Sequence, residues 1–373
     1  MVIGFDAKRL FHNSTGLGYY SRTLVHSLVE TIPDFKAMLF DAHPVKTELT
    51  DKYFSNEKVT VATIGSPGWY SRSVNMDPYL LRHQIEVFHG LSNELPLTGD
   101  TKKIPRVVTI HDILFKSFKQ DFPWHDRLIY DRKTKSAVQK ADIIVAISQA
   151  TKNDLIQFYK AAEEKIRIIY QSYDPIFNIP VEEAELAEVL STFKLPKTYL
   201  LYVGSITHRK NLKVIIDALW MLPAKDRIPL VVAGQGTGYE KFIRQYIVQR
   251  QLQNIIHFLP GLPRMTLRIL YSGAHLLIYP SLGEGFGLPV LEGIASHIPV
   301  ITSDRSSMPE AGGDIANYFD PSQPEQLASM IRQSPFGDAN SKVPTARTIH
   351  LEKFNRNKIA LQYLDEVYRP LSR

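Results

Sequence analysis

The chain has 373 residues, of which 44% are hydrophobic and 22% charged, and its formal net charge is +6. This length exceeds the ~100–200 residues of a typical domain and predicts two domains with ordinary globular cores. The absence of cysteine excludes disulfides and thiolate metal sites and favours a cytoplasmic location. No signal-peptide pattern opens the chain, and no apolar run approaches the ~20 residues that span a bilayer, so we expect a soluble protein.

The positive charge is concentrated in residues 101–140, which hold ten Lys or Arg against four Asp, so the rest of the chain is close to neutral. Aromatic side chains, including Phe115, Phe122, Trp124 and Tyr130, interleave with these basic residues. Such a mixture is typical of a peripheral contact with anionic lipid at the inner face of a membrane, or of a phosphorylated acceptor. A solvated basic helix face is the alternative interpretation. No nucleic-acid-binding motif is present, and we expect no nucleic-acid partner.

The first half of the chain alternates short apolar runs with segments of helical spacing. Strands are predicted at residues 2–5, 36–40, 59–64, 86–89, 106–110, 141–148 and 166–170, and helices at 19–30, 128–140 and 149–159. The strand at 106–110 ends in His111-Asp112, at the position where open α/β sheets place ligands. His111 is therefore a candidate site residue, and a histidine with only structural hydrogen bonds is the alternative.

Gly16 and Gly18 precede the first predicted helix and suggest a dinucleotide-binding fingerprint. That interpretation fails because Ser21 stands where a third glycine belongs, and because about ten residues separate the glycines from the preceding strand. A loop that closes over a ligand from across a cleft fits this segment better.

The second half repeats the alternation after a polar, proline-containing segment that we expect to link two domains. Strands are predicted at 199–203, 229–233, 255–259, 274–279, 299–303 and 317–320, with helices at 212–221, 265–272, 292–296 and 354–368. The predicted boundaries are 1–175 for a first domain, 176–197 for the linker, 198–353 for a second domain, and 354–373 for a final helix. Repeated β-α units predict two doubly wound, Rossmann-like α/β domains that face each other across a cleft.

The segment from Tyr279 to Gly293 has the strongest chemical pattern. A buried strand runs into a glycine-rich loop, and Pro289 suits the first turn of a following helix, so backbone N–H groups and the helix dipole can bind an anion. Glu284 and Glu292 bracket this turn. A carboxylate repels phosphate, so hydroxyl groups of a ribose or a sugar are their expected partners. A plain tight turn with Glu292 on a solvated helix face is the alternative.

Arg209 and Lys210 follow a predicted strand and precede a helix in the same half. Two adjacent cations at such a point can neutralise a diphosphate. An Arg-Lys pair by itself is usually only solvated. Because a glycine-rich anion site is predicted in the same domain, we interpret this pair as part of a phosphate-binding site.

Together these motifs resemble the retaining glycosyltransferases of the GT-B fold, known as glycosyl transferases group 1. The hallmark is Glu-x7-Glu, here from Glu284 to Glu292, and the similarity runs from residue 1 to about 330. The resemblance implies that Arg209 and Lys210 hold the diphosphate of a nucleotide sugar, that Glu292 binds its ribose, and that Glu284 and His111 contact the transferred sugar. It also implies that the first domain, 1–175, binds the acceptor, that the second, 198–353, binds the nucleotide-sugar donor, and that the final helix crosses back onto the first domain.

Two groups of site residues follow from the resemblance. The expected catalytic residues are His111, Arg209, Lys210 and Glu284. The expected donor-binding residues are Gly16, Gly18, Gly204, Arg209, Lys210, Phe258, Leu259, Pro260, Glu284, Gly285, Phe286, Gly287, Leu288 and Glu292.

The resemblance implies a retaining hexosyltransferase that acts on a glycan or lipid-linked glycan acceptor. A GDP-mannose-like donor is slightly favoured over UDP-hexoses. We expect no metal and no cofactor, because the fixed cations can stabilise the leaving diphosphate and no Asp-x-Asp pair occurs in the chain. A nucleotide-sugar epimerase of the same fold and a non-catalytic nucleotide-sugar-binding protein are the alternatives.

Overall fold

The computed structural model describes residues 1–65, 73, 76–98, 104–236, 238–334 and 344–372. Residues 101–103, at the start of the predicted basic stretch, lie outside the described residues. The chain divides into two units, Met1–Ser172 together with Phe354–Arg373, and Tyr173–Lys353. The carboxyl-terminal segment therefore joins the first unit.

The first unit is built on a parallel sheet with the strand order β3-β2-β1-β4-β5-β6-β7. Most of these strands are short, Val- and Ile-rich runs that are buried on both faces, as expected for a sheet covered by helices on both sides. The strands are β1 Val2–Asp6, β2 Lys36–Asp41, β3 Val59–Thr63, β4 Val87–Gly90, β5 Arg106–Ile110, β6 Ile143–Ala146 and β7 Ile166–Ile168.

Helices cover this sheet on both faces. They are α1 Lys8–His12, α2 Gly16–Thr31, α3 Asp51–Ser55, α4 Asp77–Arg82, α5 Leu114–Ser117, α6 Trp124–Lys140 and α7 Gln149–Tyr159, with single turns of 3-10 helix at Lys119–Asp121 and Glu163–Lys165. The second helix buries Tyr20, Leu24 and Leu28, whose spacing of four residues places them on one face.

The second unit repeats the architecture with the strand order β10-β9-β8-β11-β12-β13, again parallel. Its strands are β8 Leu200–Val203, β9 Leu230–Ala233, β10 Ile256–Leu259, β11 Leu276–Tyr279, β12 Val300–Ser303 and β13 Asn317–Phe319. Its helices are α8 Glu183–Thr192, α9 Leu212–Met221, α10 Gly238–Gln249, α11 Arg264–Gly273, α12 Leu288–Ala295, α13 Met308–Gly312, α14 Pro324–Gln333 and α15 Pro344–Glu352, with 3-10 turns at Pro175–Asn178 and Ala224–Asp226.

The segment expected to link the domains contains the helix α8. A capping box formed by Glu182 and Glu185 closes its first turn. Arg268, on α11, donates to the carboxylate of Glu185 at 3.0 and 3.2 Å, so α8 packs on the second unit.

The final helix packs on the first unit through α2. It consists of α16, Arg356–Tyr363, continued by one π-helical segment, Leu364–Tyr368. Its Ile359, Ala360 and Val367 belong to the same buried cluster as Leu24 and Leu28 of α2. In the described parts of the chain, no helix combines the length and the apolar character needed to cross a bilayer.

Both strand orders reverse direction at one point, between β1 and β4 in the first unit and between β8 and β11 in the second. Such topological switch points open a crevice beyond the carboxyl ends of the strands, where α/β proteins bind ligands. The fold therefore marks one candidate crevice in each unit.

Candidate functional site

In the second unit, the switch point brings two predicted motifs together. Leu200 and Leu201 of β8 pair with Leu276 and Leu277 of β11, so the segments that follow these strands emerge side by side. The first carries Gly204, Arg209 and Lys210, and the second is the glycine-rich loop with Glu284.

Arg209 and Lys210 converge on a single carboxylate oxygen. Arg209 Nη1 lies 2.6 Å and Lys210 Nζ 2.7 Å from Glu284 Oε1. Ser281 Oγ donates to the same oxygen at 2.6 Å, and Arg209 Nη1 also donates to the carbonyl of Gly283 at 2.6 Å. The charged side chains are only 11–14% exposed. The loop and the two cations thus form one rigid, positively charged cluster.

The electrostatics of this cluster keep Glu284 ionised. Burial alone would raise the pKa of its carboxyl group, but the charges of Lys210 and Arg209 and the hydrogen bonds from Lys210 and Ser281 outweigh burial and lower the pKa to about 2. Because two cations face one anion, the cluster retains a net positive charge.

The loop is shaped by the start of α12. Gly287 has a φ of 123°, and a Cβ there would lie 2.8 Å from Met308 Cε, so a side chain at this position would be strained and would clash. Gly287 is the N-cap of α12 and offers no side chain to the first turn, which begins at Leu288. The helix given as 292–296 spans Leu288–Ala295, and Pro289 lies in its first turn, as its fixed φ predicted.

Serines from the next loop hold the glycine-rich loop in place, and no sequence motif predicted this role. Ser307 Oγ donates to the carbonyls of Glu284 at 3.0 Å and Phe286 at 2.6 Å, and Ser306 Oγ donates to that of Glu284 at 2.9 Å. Phe286 itself is buried. In the sequence, the only indication of this role is that the serines lie in the loop after β12, the strand that pairs with β11.

Glu292 occupies a different environment from Glu284. It is 5% exposed, and its carboxylate accepts from the Tyr271 hydroxyl at 3.0 Å and from Arg264 Nη2 at 3.4 Å. Arg264 also pairs with Asp174 at 3.0 Å. Burial raises the pKa of Glu292, although the Arg264 charge and the Tyr271 hydrogen bond act against it. The alternative of a solvated helix residue is therefore wrong, and the ribose role of Glu292 stays a prediction.

Of the other predicted donor-binding residues of this unit, Gly204 lies beside the cluster, whereas Phe258, Leu259 and Pro260 lie at the end of an edge strand. Gly204 has a φ of 143°, and a Cβ there would lie 3.7 Å from the Lys210 side chain. Phe258 and Leu259 end the edge strand β10, which β9 separates from β8, and Pro260 follows. Arg244 stacks over the Phe258 ring at 3.9 Å.

In the first unit, His111 follows β5 and is 4% exposed. Its Nε2 bonds to the Leu91 carbonyl at 2.9 Å, so Nε2 carries the proton, and Nδ1 accepts from the Gln171 side chain at 3.0 Å. Burial lowers the pKa of His111 to about 4; the Leu91 hydrogen bond opposes this and the nearby Arg9 charge reinforces it. His111 is a neutral imidazole with both nitrogens bonded to protein, and its contact with a sugar stays a prediction.

The expected loop at Gly16–Gly18 is wrong, because these residues form the first turn of α2. Asn13 Oδ1 accepts from the backbone N–H groups of Thr15 at 2.9 Å and Gly18 at 3.1 Å. A Cβ on Gly18 would lie 1.8 Å from the Asn13 carbonyl oxygen, so glycine is required by close backbone approach. Leu17, between the two glycines, lines the same cavity as His111.

Comparisons with known proteins agree with these features. The family model for glycosyl transferases group 1 matches residues 189–334, and that for glycosyltransferase family 4 matches residues 40–176. O-antigen chain mannosyltransferase B of Escherichia coli is 28% identical over 370 residues, which cover 93% of this chain and 94% of the relative. O-antigen chain mannosyltransferase RfbU of Salmonella typhimurium is 28% identical over 346 residues, covering 88% and 89%.

A solved structure extends the likeness to the whole fold. HepE of Anabaena in complex with UDP superposes with a TM-score of 0.71 over 99% of both chains, at 16% identity. Its two-domain GT-B architecture matches the two parallel sheets described above. The chain therefore belongs to the group 1 glycosyltransferases of the GT-B fold.

Proposed function

We propose that this glycosyltransferase moves a hexose, with mannose favoured, from a nucleoside diphosphate sugar to a glycan or lipid-linked glycan. The observation that carries the proposal is the convergence of Arg209 and Lys210 on Glu284 Oε1 beside the start of α12. The preference for mannose is supported by two relatives that are named O-antigen chain mannosyltransferases. The UDP complex of HepE supports a nucleotide sugar as the donor class.

The chemistry that we propose needs stabilisation of negative charge. When the sugar leaves, charge builds on the diphosphate, and a pair of fixed cations with the backbone N–H groups of the first helical turn can stabilise it. Arg209 and Lys210 are this pair of cations, so the reaction needs no metal ion. Metal independence stays a prediction.

We propose retention of the anomeric configuration by same-face attack assisted by the leaving phosphate. Glu284 is the carboxylate of the cluster, and Arg209, Lys210 and Ser281 all hold the same oxygen of it. A carboxylate fixed in this way is a better acceptor for the hydroxyl groups of the sugar than a nucleophile. In this arrangement Glu292 binds the hydroxyl groups of the ribose, and Arg264 forms an ion pair with Glu292.

A peripheral membrane contact through the basic stretch is also part of the proposal. The helix α6 exposes Trp124, Leu128 and Ile129 near its start and Arg132 and Lys135 further along. Exposed apolar groups beside basic ones suit the interface of an anionic membrane. Not every cation of the stretch contributes to this surface.

Three of its cations form ion pairs with carboxylates of the same unit. Arg106 is fully buried and pairs with Asp77, Lys116 pairs with Asp131, and Lys133 pairs with Glu94. The surface charge available to a membrane is therefore smaller than the sequence count suggests.

The test is a transfer assay with GDP-mannose and UDP-hexoses, with and without an α-mannosyl oligosaccharide, in the presence of a chelator. We expect acceptor-dependent release of the nucleoside diphosphate, and an anomeric configuration in the product that equals that of the donor. An epimerised nucleotide sugar would instead support the epimerase. Donor binding without turnover would support a binding protein, and activity restored only by a divalent ion would overturn metal independence.

A further inference from the structure

Glu292, the predicted ribose ligand, is held at both of its carboxylate oxygens by the helix α11. The Tyr271 hydroxyl donates to Oε2 at 3.0 Å, and Arg264 Nη2 donates to Oε1 at 3.4 Å. A carboxylate has about four lone-pair sites, so each oxygen keeps one for a ligand. The two neighbouring hydroxyl groups of a ribose match this pair of sites. The helix α11 therefore decides in which direction the carboxylate presents them.

Arg264 is in turn held by the segment at the 3-10 turn Pro175–Asn178. Its Nε donates to Asp174 Oδ2 at 3.0 Å, and its guanidinium lies over the Phe177 ring, 5.3 Å from the centroid. Asp174 is fixed as well, because its Oδ1 accepts from the Ile176 N–H at 3.1 Å. Arg264 thus bridges two carboxylates, one in the donor site and one at this turn, although 41% of its side chain is exposed.

This bridge affects the charge of Glu292, which is buried. Burial raises the pKa of Glu292; the charge of Arg264 and the hydrogen bond from Tyr271 act against burial, and the charge of Asp174 acts with it. A protonated carboxyl group has fewer acceptor sites than a carboxylate. Arg264 therefore favours the form of Glu292 that accepts from two hydroxyl groups, and Asp174 limits this effect.

The helix α15 also packs on α12 and carries a buried arginine. That residue, Arg347, bonds at 2.7 Å to His297, which follows the end of α12. The groups that act most strongly on Glu292 are therefore those of α11 and the carboxylate of Asp174.

We propose that Arg264 is a positioning residue for the donor: it orients the Glu292 carboxylate toward the ribose hydroxyl groups, and Asp174 holds its guanidinium in place. The proposal rests on the proposed function, because it takes Glu292 as the ligand of the donor's ribose. Arg264 acts through Glu292, and the ribose does not react. Loss of Arg264 should therefore raise KM for the donor and leave kcat nearly unchanged.

The first measurement is calorimetric titration near neutral pH, without acceptor, of GDP and UDP and of their 2′,3′-dideoxy analogues. We expect the wild type to bind at least one of the two nucleotides, and to bind its dideoxy analogue more weakly. Arg264→Gln should weaken binding of that nucleotide about tenfold and of the analogue less than about twofold, since the analogue offers Glu292 no hydroxyl group. In transfer assays the same variant should raise the donor KM about tenfold at near-normal kcat.

Arg305→Gln is the matched control. Arg305 belongs to the same unit, and its Nε and Nη2 also pair with two carboxylates, those of Asp304 and Asp320, each at 3.1 Å. We expect this variant to bind the nucleotide and its analogue as the wild type does. Unchanged unfolding temperatures establish that each variant is folded.

The second measurement is the pH dependence of binding of GDP-mannose and UDP-glucose. These donors have no terminal phosphate group, whose second ionisation near pH ~6 would interfere with that of Glu292. Binding should weaken as the pH falls and Glu292 is protonated. Arg264→Gln should move this loss to higher pH and Asp174→Asn should move it to lower pH, because the two substitutions remove charges of opposite sign. A purely structural role of the two residues gives no such opposite shifts.

The inference is overturned if the wild type binds nucleotide and analogue equally well, or if Arg264→Gln weakens both to the same extent or neither. It is also overturned if the two substitutions move the pH dependence in the same direction or not at all. A wild type that binds no nucleotide and no nucleotide sugar would remove the proposed function, and this inference with it. Loss of ribose discrimination in Arg264→Gln, in a chain that transfers no sugar, would contradict the transferase proposal and leave the role of Arg264 standing.

Discussion

Glu284 lies at the centre of the charged cluster in the second unit. The sequence predicted that Glu284 binds sugar hydroxyl groups. The structure adds that Arg209 and Lys210 both form ion pairs with its Oε1. A diphosphate bound by those cations would lie beside this carboxylate and would compete with it. Glu284 therefore has two opposed effects on a donor: it repels the phosphates and it can bind the sugar.

These effects can be separated with Glu284→Gln. Removing the negative charge should strengthen the binding of free GDP or UDP about tenfold, because the cations no longer share a carboxylate. It should also lower the transfer rate, because the sugar loses its charged acceptor. Calorimetric titration and initial rates measure the two, with Glu240→Gln, a partner of Arg244 on α10, as the control. Weaker nucleotide binding by Glu284→Gln would contradict the assignment.

Two buried histidines of the first unit predict an acid-sensitive stability. Burial lowers the pKa of His89 to about 3 and that of His111 to about 4. Between the unfolded value of about 6.5 and these values, the unfolded chain binds protons that the folded chain does not, so the free energy of unfolding falls as the pH falls. Glu284 adds a second loss below about pH 4.5, since its folded pKa of about 2 is depressed.

We predict that the unfolding temperature falls steadily from pH 6.5 to 4 and that His89→Gln reduces this slope. Between pH 6.5 and 4, each histidine contributes at most roughly 3 kcal/mol. Thermal unfolding at several pH values measures the slope, and substitution of the exposed His125 is the control. A slope unchanged by His89→Gln would show that this histidine is not among the groups responsible.

At the scale of elements, the strand, loop and helix from β11 to α12 were predictable because each local signal agrees. Pro280 ends the strand, Gly287 adopts a conformation that other residues rarely take, and Pro289 suits the first helical turn. The supporting role of Ser307 was not predictable in this way. It depends on the pairing of β11 with β12, which places the two following loops together.

The segment around Gly16 shows the opposite case. Two glycines close together indicate a loop, and here the glycine at position 18 is required because the Asn13 carbonyl approaches it. The Asn13 side chain accepts hydrogen bonds from the first turn, and the helix forms. The composition rule failed because a close approach of the Asn13 backbone, within the same turn, decided the residue type.

The carboxyl-terminal helix is tied to the sheet by a buried hydrogen-bond network. The Tyr20 hydroxyl bonds to those of Tyr363 at 2.5 Å and Thr109 at 2.9 Å, and His89 joins Thr109 to Tyr368. All five residues are buried. Because Tyr20 also packs edge-on against His111, the helix supports the strand end that carries the candidate site.

We predict that Tyr363→Phe destabilises the chain by ~0.5–1.5 kcal/mol, because the buried Tyr20 hydroxyl loses one of its two partners and keeps Thr109. Urea unfolding measures the change. Tyr130→Phe, which removes a half-exposed hydroxyl, is the control and should change stability by less than ~0.5 kcal/mol. Equal effects of the two substitutions would contradict the role of the network.

For the molecule as a whole, the proposed membrane contact through the exposed face of α6 can be tested with lipid vesicles. We predict that vesicles with about one-third anionic lipid sediment the protein, and that neutral vesicles or added salt reduce binding. The double substitution Trp124→Ala and Leu128→Ala should lower binding about tenfold. Phe242→Ala, an exposed aromatic residue of the second unit, is the control. Equal binding to neutral and anionic vesicles would contradict the proposal.

We propose that Arg209 and Lys210 stabilise the departing diphosphate of a sugar donor. The measurement that tests this role is kcat/KM for transfer by Lys210→Ala beside Lys213→Ala, a lysine three residues further along that pairs with Asp217 on the helix surface. We expect a loss of ~10²-fold or more for Lys210→Ala and near-normal transfer for Lys213→Ala. Near-normal transfer by Lys210→Ala would show that Lys210 does not stabilise the leaving group.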